Sequence, residues 1–193
     1  MSDQDEQDLQ CMERLREGDD LALNDLMTRW KEPLVTFCLR YTGNLSDARD
    51  IAQETFVKVY GERARYKPKA GAQFSTWLFT IATNLCRMRA RWRSRHPEVL
   101  DADSEADVAE REDASDPRDE TDRRALGRDL ARAIAALPHD LRVALVLHEI
   151  NGQRYREIAG VLKCSEKAVE RRLARAREKL RAELEEKWRG SLK

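Results

Sequence analysis

The sequence predicts an all-α protein made of two small helical domains joined by a flexible acidic linker. Three observations point there. Apolar residues recur at helical spacing almost everywhere outside one stretch, and only 8 Gly and 5 Pro interrupt 193 residues, with no alternating β-branched run. Charge is segregated along the chain. The 36 Lys+Arg balance 36 Asp+Glu overall, yet residues 1–60 hold 7 basic and 13 acidic side chains and residues 61–97 hold 9 and 1. Residues 98–122 hold 2 and 12, and residues 123–193 hold 18 and 10. The acidic stretch has few large apolar residues, a Pro and high charge, a composition that cannot offset the entropy of ordering the chain. It reads as a linker between domains at 1–97 and 123–193, each within the usual size range.

In the first half, Leu21, Leu23, Leu26, Met27, Trp30, Leu34, Phe37, Cys38 and Tyr41 predict a long helix, with Pro33 as a kink or break. Gly43 and Asn44 punctuate it, and Ser46 is the expected cap of a helix running through Tyr60. On that helix Ala48, Ile51, Ala52, Thr55, Phe56 and Val59 share one broad face. The turn-prone residues 65–71 predict a loop. Beyond it Phe74, Trp77, Leu78, Ile81, Leu85, Met88 and Trp92 form one apolar stripe of a long helix. Its C-terminal end is ringed by Arg87, Arg89, Arg91, Arg93 and Arg95, partly as an answer to the helix macrodipole.

The second half predicts four helices: 124–137 stopped by Pro138, 140–150 stopped by Asn151 and Gly152, a short one over 155–162, and a long one over 166–188 capped by Ser165. Short helix, tight turn and long basic helix is helix-turn-helix order. On the last helix Val169, Leu173, Ala176, Leu180 and Leu184 make a packing seam, while Arg171, Arg172, Arg175 and Lys179 lie opposite. An α-helix fits the major groove, where Arg pairs with guanine O6 and N7 or contacts phosphate. The first basic block interleaves Tyr66, Phe74 and Trp77 with Lys67, Lys69 and the arginine run, a mixture suited to stacking unpaired bases, although helical spacing favours the core for Trp77.

Several function classes fall away. No run of about 18 apolar residues is present, which excludes a helical membrane span. Residues 1–10 carry neither a basic n-region nor an apolar h-region, so a cytoplasmic address is expected. Cys11, Cys38, Cys86 and Cys164 form no CxxC pair, and His96, His139 and His148 do not stand at zinc-ligand spacing, so neither metal nor cofactor is expected and the thiols read as reduced, oxidant sensing being the second reading. No nucleophile–base pair or phosphate-cradling glycine loop appears, so no catalytic residues are assigned.

Three stretches resemble an extracytoplasmic-function RNA polymerase sigma factor of the sigma-70 family. DARDIAQETFVKVY from Asp47 resembles the core-polymerase-binding segment of region 2. Phe74 with WLFTIATNLCR from Trp77 resembles the promoter-melting helix, and LPHDLR from Leu137 with YREIA from Tyr155 resembles region 4. The resemblance implies a region 2 domain at 1–97, a linker at 98–122 and a region 4 helix-turn-helix domain at 123–193. It implies that Asp47, Asp50, Gln53, Glu54 and Lys58 engage the coiled coil of the polymerase's largest subunit, with the flap as a second contact. Lys67, Lys69, Gln73, Phe74, Asn84, Arg87 and Arg91 would serve the minus-ten element, and Glu166, Lys167, Glu170, Arg171, Arg172 and Arg175 the minus-thirty-five element. The linker would thread polymerase channels otherwise open to nucleic acid, and an anti-sigma partner would regulate the whole. The sequence departs from the family at Arg154, where many members have a capping Ser or Thr, and at Lys163, where Gly is common in the turn. Glu170 and Ala174 make the reading helix its own. The rival readings are a helix-turn-helix regulator acting without polymerase and a helical adaptor or anti-sigma-like protein.

Overall fold

A computed structural model describes residues 3–67, 73–96 and 117–191, the last without the side chains of 117–124 and 188–191. It begins with a helix the sequence pattern left unassigned, α1 (Asp3–Arg16). Asp8, Cys11, Met12 and Leu15, spaced +3, +4 and +7, are its buried stripe. The polar member anchors it. The buried Asp8 carboxylate accepts hydrogen bonds from Trp30 Nε1 and Arg29 Nε, both at 2.9 Å, tying α1 to the next helix. Burial pushes the Asp8 carboxyl above the usual range, against the pull of these two donors.

Helix α2 (Leu21–Thr42) runs through Pro33 without a break and ends at Gly43, whose φ of 72° closes it with an N–H bond to the Leu39 carbonyl. Helix α3 (Leu45–Gly61) is capped by Asn44, not by the expected Ser46: Asn44 is extended, and its side-chain oxygen accepts from the Asp47 N–H at 2.8 Å. A short 3₁₀ turn (Arg63–Arg65) follows, then α4 (Phe74–Arg95) as the stripe predicts. An aromatic cluster joins these helices. Phe79 packs edge-on to Trp30 and Phe37, with ring centroids at 6.0 and 5.4 Å, and Trp77 lies against Tyr66 at 5.0 Å. Trp77 is therefore partly buried at the edge of the core, whereas Met88 and Trp92 carry the stripe out into solvent.

Helix α5 (Pro117–Ala136) starts inside the stretch expected to be linker, so 117–122 are helical; residues 97–116 lie outside the described residues. Helix α6 (His139–Glu149) buries Leu141 and every residue from Val143 to Leu147, an all-round apolar pattern that requires neighbours on several sides. It has them in α2, α8 and α7 (Tyr155–Leu162). Helix α8 (Glu166–Ser191) packs through Val169, Leu173 and Ala176, all fully buried.

In the turn between α7 and α8, Lys163 adopts φ 50°, ψ 49°, the left-handed region that favours glycine. Its side chain is exposed, so only the backbone is strained. Lys163→Gly is expected to raise the unfolding free energy by about 1 kcal/mol, read as a higher urea midpoint at unchanged slope. Opposite Arg154, whose side chain has no acceptor, Glu157 supplies the helix start by accepting the Arg154 N–H at 2.7 Å.

The two helical units share one continuous apolar core: α7 lies against α4, and α5 and α6 lie against α2. Polar contacts pin the seam. Tyr41 Oη and His139 Nδ1 are 2.7 Å apart, the Arg142 guanidinium lies 4.7 Å above the Tyr41 ring and donates to the Tyr41 carbonyl at 3.1 Å, and Asn151 Nδ2 donates to the Pro33 carbonyl at 2.8 Å. At Gly160 α7 approaches α4 so closely that an added Cβ would sit 2.7 Å from the Thr76 methyl.

Candidate nucleic-acid and partner interfaces

Helix α3 separates the five residues expected to bind polymerase. Asp50, Gln53 and Glu54 are exposed and Lys58 is half-buried, with Glu54 and Lys58 paired at 3.9 Å. Asp47 stands apart. It is buried, and its two carboxylate oxygens lie 2.8 Å from Arg89 Nη1 and 2.7 Å from Arg93 Nε, so it ties the start of α3 to the end of α4 rather than facing solvent. Beside the exposed face, α2 and α3 leave an open groove of about 1040 Å³, floored by Leu23, Met27, Val35, Leu39 and Phe56 and rimmed by Lys31, Glu32, Arg49 and Gln53. The sequence pattern assigned Leu23, Met27 and Phe56 to helix core faces and missed the groove. The available signal was the breadth of the apolar arc on α2, wider than one packing face needs.

The residues expected at the minus-ten element divide likewise. Asn84, Arg87 and Arg91, at +3 and +7, are exposed along one face of α4. Lys67 is exposed, Lys69 lies outside the described residues, and Gln73 is half-buried with its amide donating to Asp5 Oδ2 at 2.9 Å. Phe74 is buried in the aromatic cluster at 6.3 Å from Trp30 and 6.1 Å from Trp77, a core position rather than an open stacking surface. An open ring is supplied instead by Trp92, stacked on His96 at 4.7 Å and flanked by exposed Met88, Arg91 and Arg95; periodicity alone had put Trp92 on the packing stripe.

On α8, Glu166, Lys167, Glu170, Arg171 and Arg175 are exposed, and Arg171 and Arg175 are one turn apart on the side away from the buried seam. Arg172 differs: one Nη donates to Asp140 Oδ2 at 2.9 Å and the other lies 2.7 Å from Cys164 Sγ, bracing α8 against α6 and the turn. The turn is closed by Cys164 N–H to the Ala159 carbonyl at 3.0 Å and by Ala168 N–H to Ser165 Oγ at 3.2 Å, the expected cap. Among the described residues no group of three or more His, Cys, Asp or Glu is arranged to hold a metal ion, and no helix is long and apolar enough to cross a membrane.

Comparison with known proteins agrees with this geometry. Residues 26–96 match the model of Sigma-70 region 2, and residues 127–180 match that of Sigma-70, region 4. The RNA polymerase sigma-H factor of Pseudomonas aeruginosa is 35% identical, over 90% of this chain and 91% of its own. The ECF RNA polymerase sigma-E factor of Escherichia coli K12 is 34% identical, over 86% and 88%. Among solved structures, CnrH in complex with the cytosolic domain of CnrY superposes with a TM-score of 0.68 at 25% identity, over 93% of this chain and 97% of that one. The sigma factor RpoE in complex with the anti-sigma factor NepR from Bartonella quintana shares the fold, with a TM-score of 0.59 at 24% identity over 83% and 97%. Two ordered region matches, near full-length similarity and the exposed helical faces together make this chain a member of the sigma-70 family, in its extracytoplasmic-function branch.

Proposed function

We propose that the protein is a sigma factor that binds core RNA polymerase and directs promoter-specific initiation. The region 2 domain (1–97) melts and reads the minus-ten element, and the region 4 domain (123–193) reads the minus-thirty-five element. The observation that carries this reading is the pairing, within one sigma-type chain, of an exposed basic face on α4 with a second on α8, each backed by a buried apolar seam. Asp50, Gln53, Glu54 and Lys58, with the adjoining α2–α3 groove, form the polymerase contact; the groove's apolar floor and charged rim suit a helical partner. Asn84, Arg87 and Arg91 attend the melted strand, with Lys67, Lys69 and Gln73 as the loop that holds a displaced base. Glu166, Lys167, Glu170, Arg171 and Arg175 face the major groove. The polymerase performs the chemistry, so this chain contributes no catalytic residue, and it acts in the cytoplasm where polymerase works. The two solved relatives are each bound by a second protein, and an anti-sigma partner is the corresponding regulator here.

The test is transcription from a genomic fragment library by core polymerase with the full chain, followed by mapping of RNA 5′ ends. Initiation at a defined set of starts is expected. If each contacts guanine through paired hydrogen bonds, Arg171→Ala and Arg175→Ala each cost about 1–3 kcal/mol and relax preference at one minus-thirty-five position. Unchanged preference in both variants rejects the assignment. Tight promoter binding without polymerase would favour a free-standing regulator. Partner binding indifferent to DNA sequence would favour an adaptor.

A further inference from the structure

Among the contacts that pin the seam between the two helical units, one joins two titratable side chains in a cationic setting. Tyr41 on α2 is 2% exposed, and what covers its hydroxyl is the second unit: His139 Nδ1 at 2.7 Å, with the two rings edge to face at 5.7 Å. The charged and titratable groups that bear on His139 come from three helices. Arg87 and Arg91 belong to α4, Arg142 and Asp140 to α6, and the Tyr41 phenol to α2. Three guanidinium groups thus disfavour a charged imidazole here, opposed by the Asp140 carboxylate.

We propose that the Tyr41–His139 contact is a proton-released latch, which holds region 4 closed on region 2 while His139 is neutral and lets the two units separate when it takes up a proton. Geometry sets the direction. A neutral imidazole forms the short hydrogen bond with the phenol in either role; an imidazolium brings a second donor-only cation to a phenol already beneath Arg142 and must shed water to stay. Burial, then Arg87, Arg142 and Arg91, hold the His139 pKa below its ordinary value of 6.5, while Asp140 opposes them. The closed form thus binds fewer protons than the open one. The latch's contribution is fully present above about pH 6.5 and is lost as pH falls through the depressed value of the closed state.

Closure bears on function because the same α4 that carries Asn84, Arg87 and Arg91 is the helix against which α7 rests. The charge of Arg87 also disfavours protonation of His139, which links this proposed minus-ten residue to the region 4 latch. A chain spanning two promoter elements must part them. This consequence rests on the sigma reading, whereas the tests below involve neither polymerase nor DNA and so fail separately from it.

Small-angle X-ray scattering of the full chain from about pH 7.5 to about pH 5 is expected to report a rise in radius of gyration, with far-UV helicity unchanged. His139→Asn, which cannot take up a proton, is expected to keep one radius across the range. Gly160→Leu drives a side chain into Thr76 and separates α7 from α4 without touching the latch, so it is expected to be expanded already at neutral pH. In that variant the His139 imidazole, followed by proton NMR, is expected to titrate near 6.5, above its value in the wild-type chain. Any of four results overturns the proposal: a radius indifferent to pH, an expansion that costs helicity, a His139→Asn chain that opens over the wild-type range, or the same His139 titration in the wild type and Gly160→Leu.

Discussion

Asp47→Ala is expected to lower the unfolding free energy by about 2–3 kcal/mol, read as a lower urea midpoint with unchanged slope. Asp47 is buried and meets Arg89 and Arg93 at 2.8 and 2.7 Å, so its removal leaves two guanidinium groups at a helix junction without their counter-charge. Breaking a fully buried pair costs about 3–5 kcal/mol. Here the arginine side chains keep 32% and 28% of their exposure, and water recovers part of the loss. The Asn44 cap survives, because it takes the Asp47 backbone N–H and not the side chain. A variant as stable as wild type would mean that the two arginines find water at little cost.

The combined Asp50, Gln53 and Glu54 to alanine variant is expected to behave in the opposite way. All three side chains are exposed on α3, alanine is the best helix former, and the one pair lost, Glu54 to Lys58 at 3.9 Å, is worth about 0.3–0.5 kcal/mol. Helicity and urea midpoint should therefore stay within about 0.5 kcal/mol of wild type, while co-purification with core polymerase is abolished. Retained co-purification would show that the α2–α3 groove, and not this polar face, carries the polymerase contact. Two neighbouring carboxylates on one helix, Asp47 and Asp50, are thus predicted to fail for different reasons, one in folding and one in assembly.

Asp47 also shows where sequence reasoning stops. Family resemblance put it with Asp50 on a polar face, and periodicity cannot tell an acid that meets water from one that meets arginines 42 and 46 residues away. The long-range partner decides it, and the alternate arginines near the end of α4 gave no hint that two of them turn inward. Phe74 follows the same logic: an aromatic beside a basic loop reads as a stacking surface until its neighbours prove to be Trp30, Tyr66 and Trp77. Local signals served well where they were complete. The limits of α7, the start of α8 and the whole of α4 follow from apolar spacing together with the Ser165 cap and the arginine-rich end. Helix α1 is not legible in the sequence because only three apolar side chains join one carboxylate in the buried stripe of an otherwise polar segment, and burial of Cys11, Met12 and Leu15 with the long-range contacts of Asp8 to Arg29 and Trp30 holds it in place. The α2–α3 groove and the seam between the units were not legible at all, since each depends on how finished helices dock and not on any helix alone.

The brace at Arg172 bears on how the proposed reading helix would meet DNA. With its guanidinium shared between Asp140 and Cys164, this side chain adds to the buried Val169, Leu173 and Ala176 seam in holding the roll of α8 about its own axis. On the proposed reading, Arg171 and Arg175 would approach a duplex as two teeth of a stiff comb, at a spacing of one helical turn. Discrimination would then come from rigid fit, with the entropy of aligning the comb lost in folding rather than at the promoter.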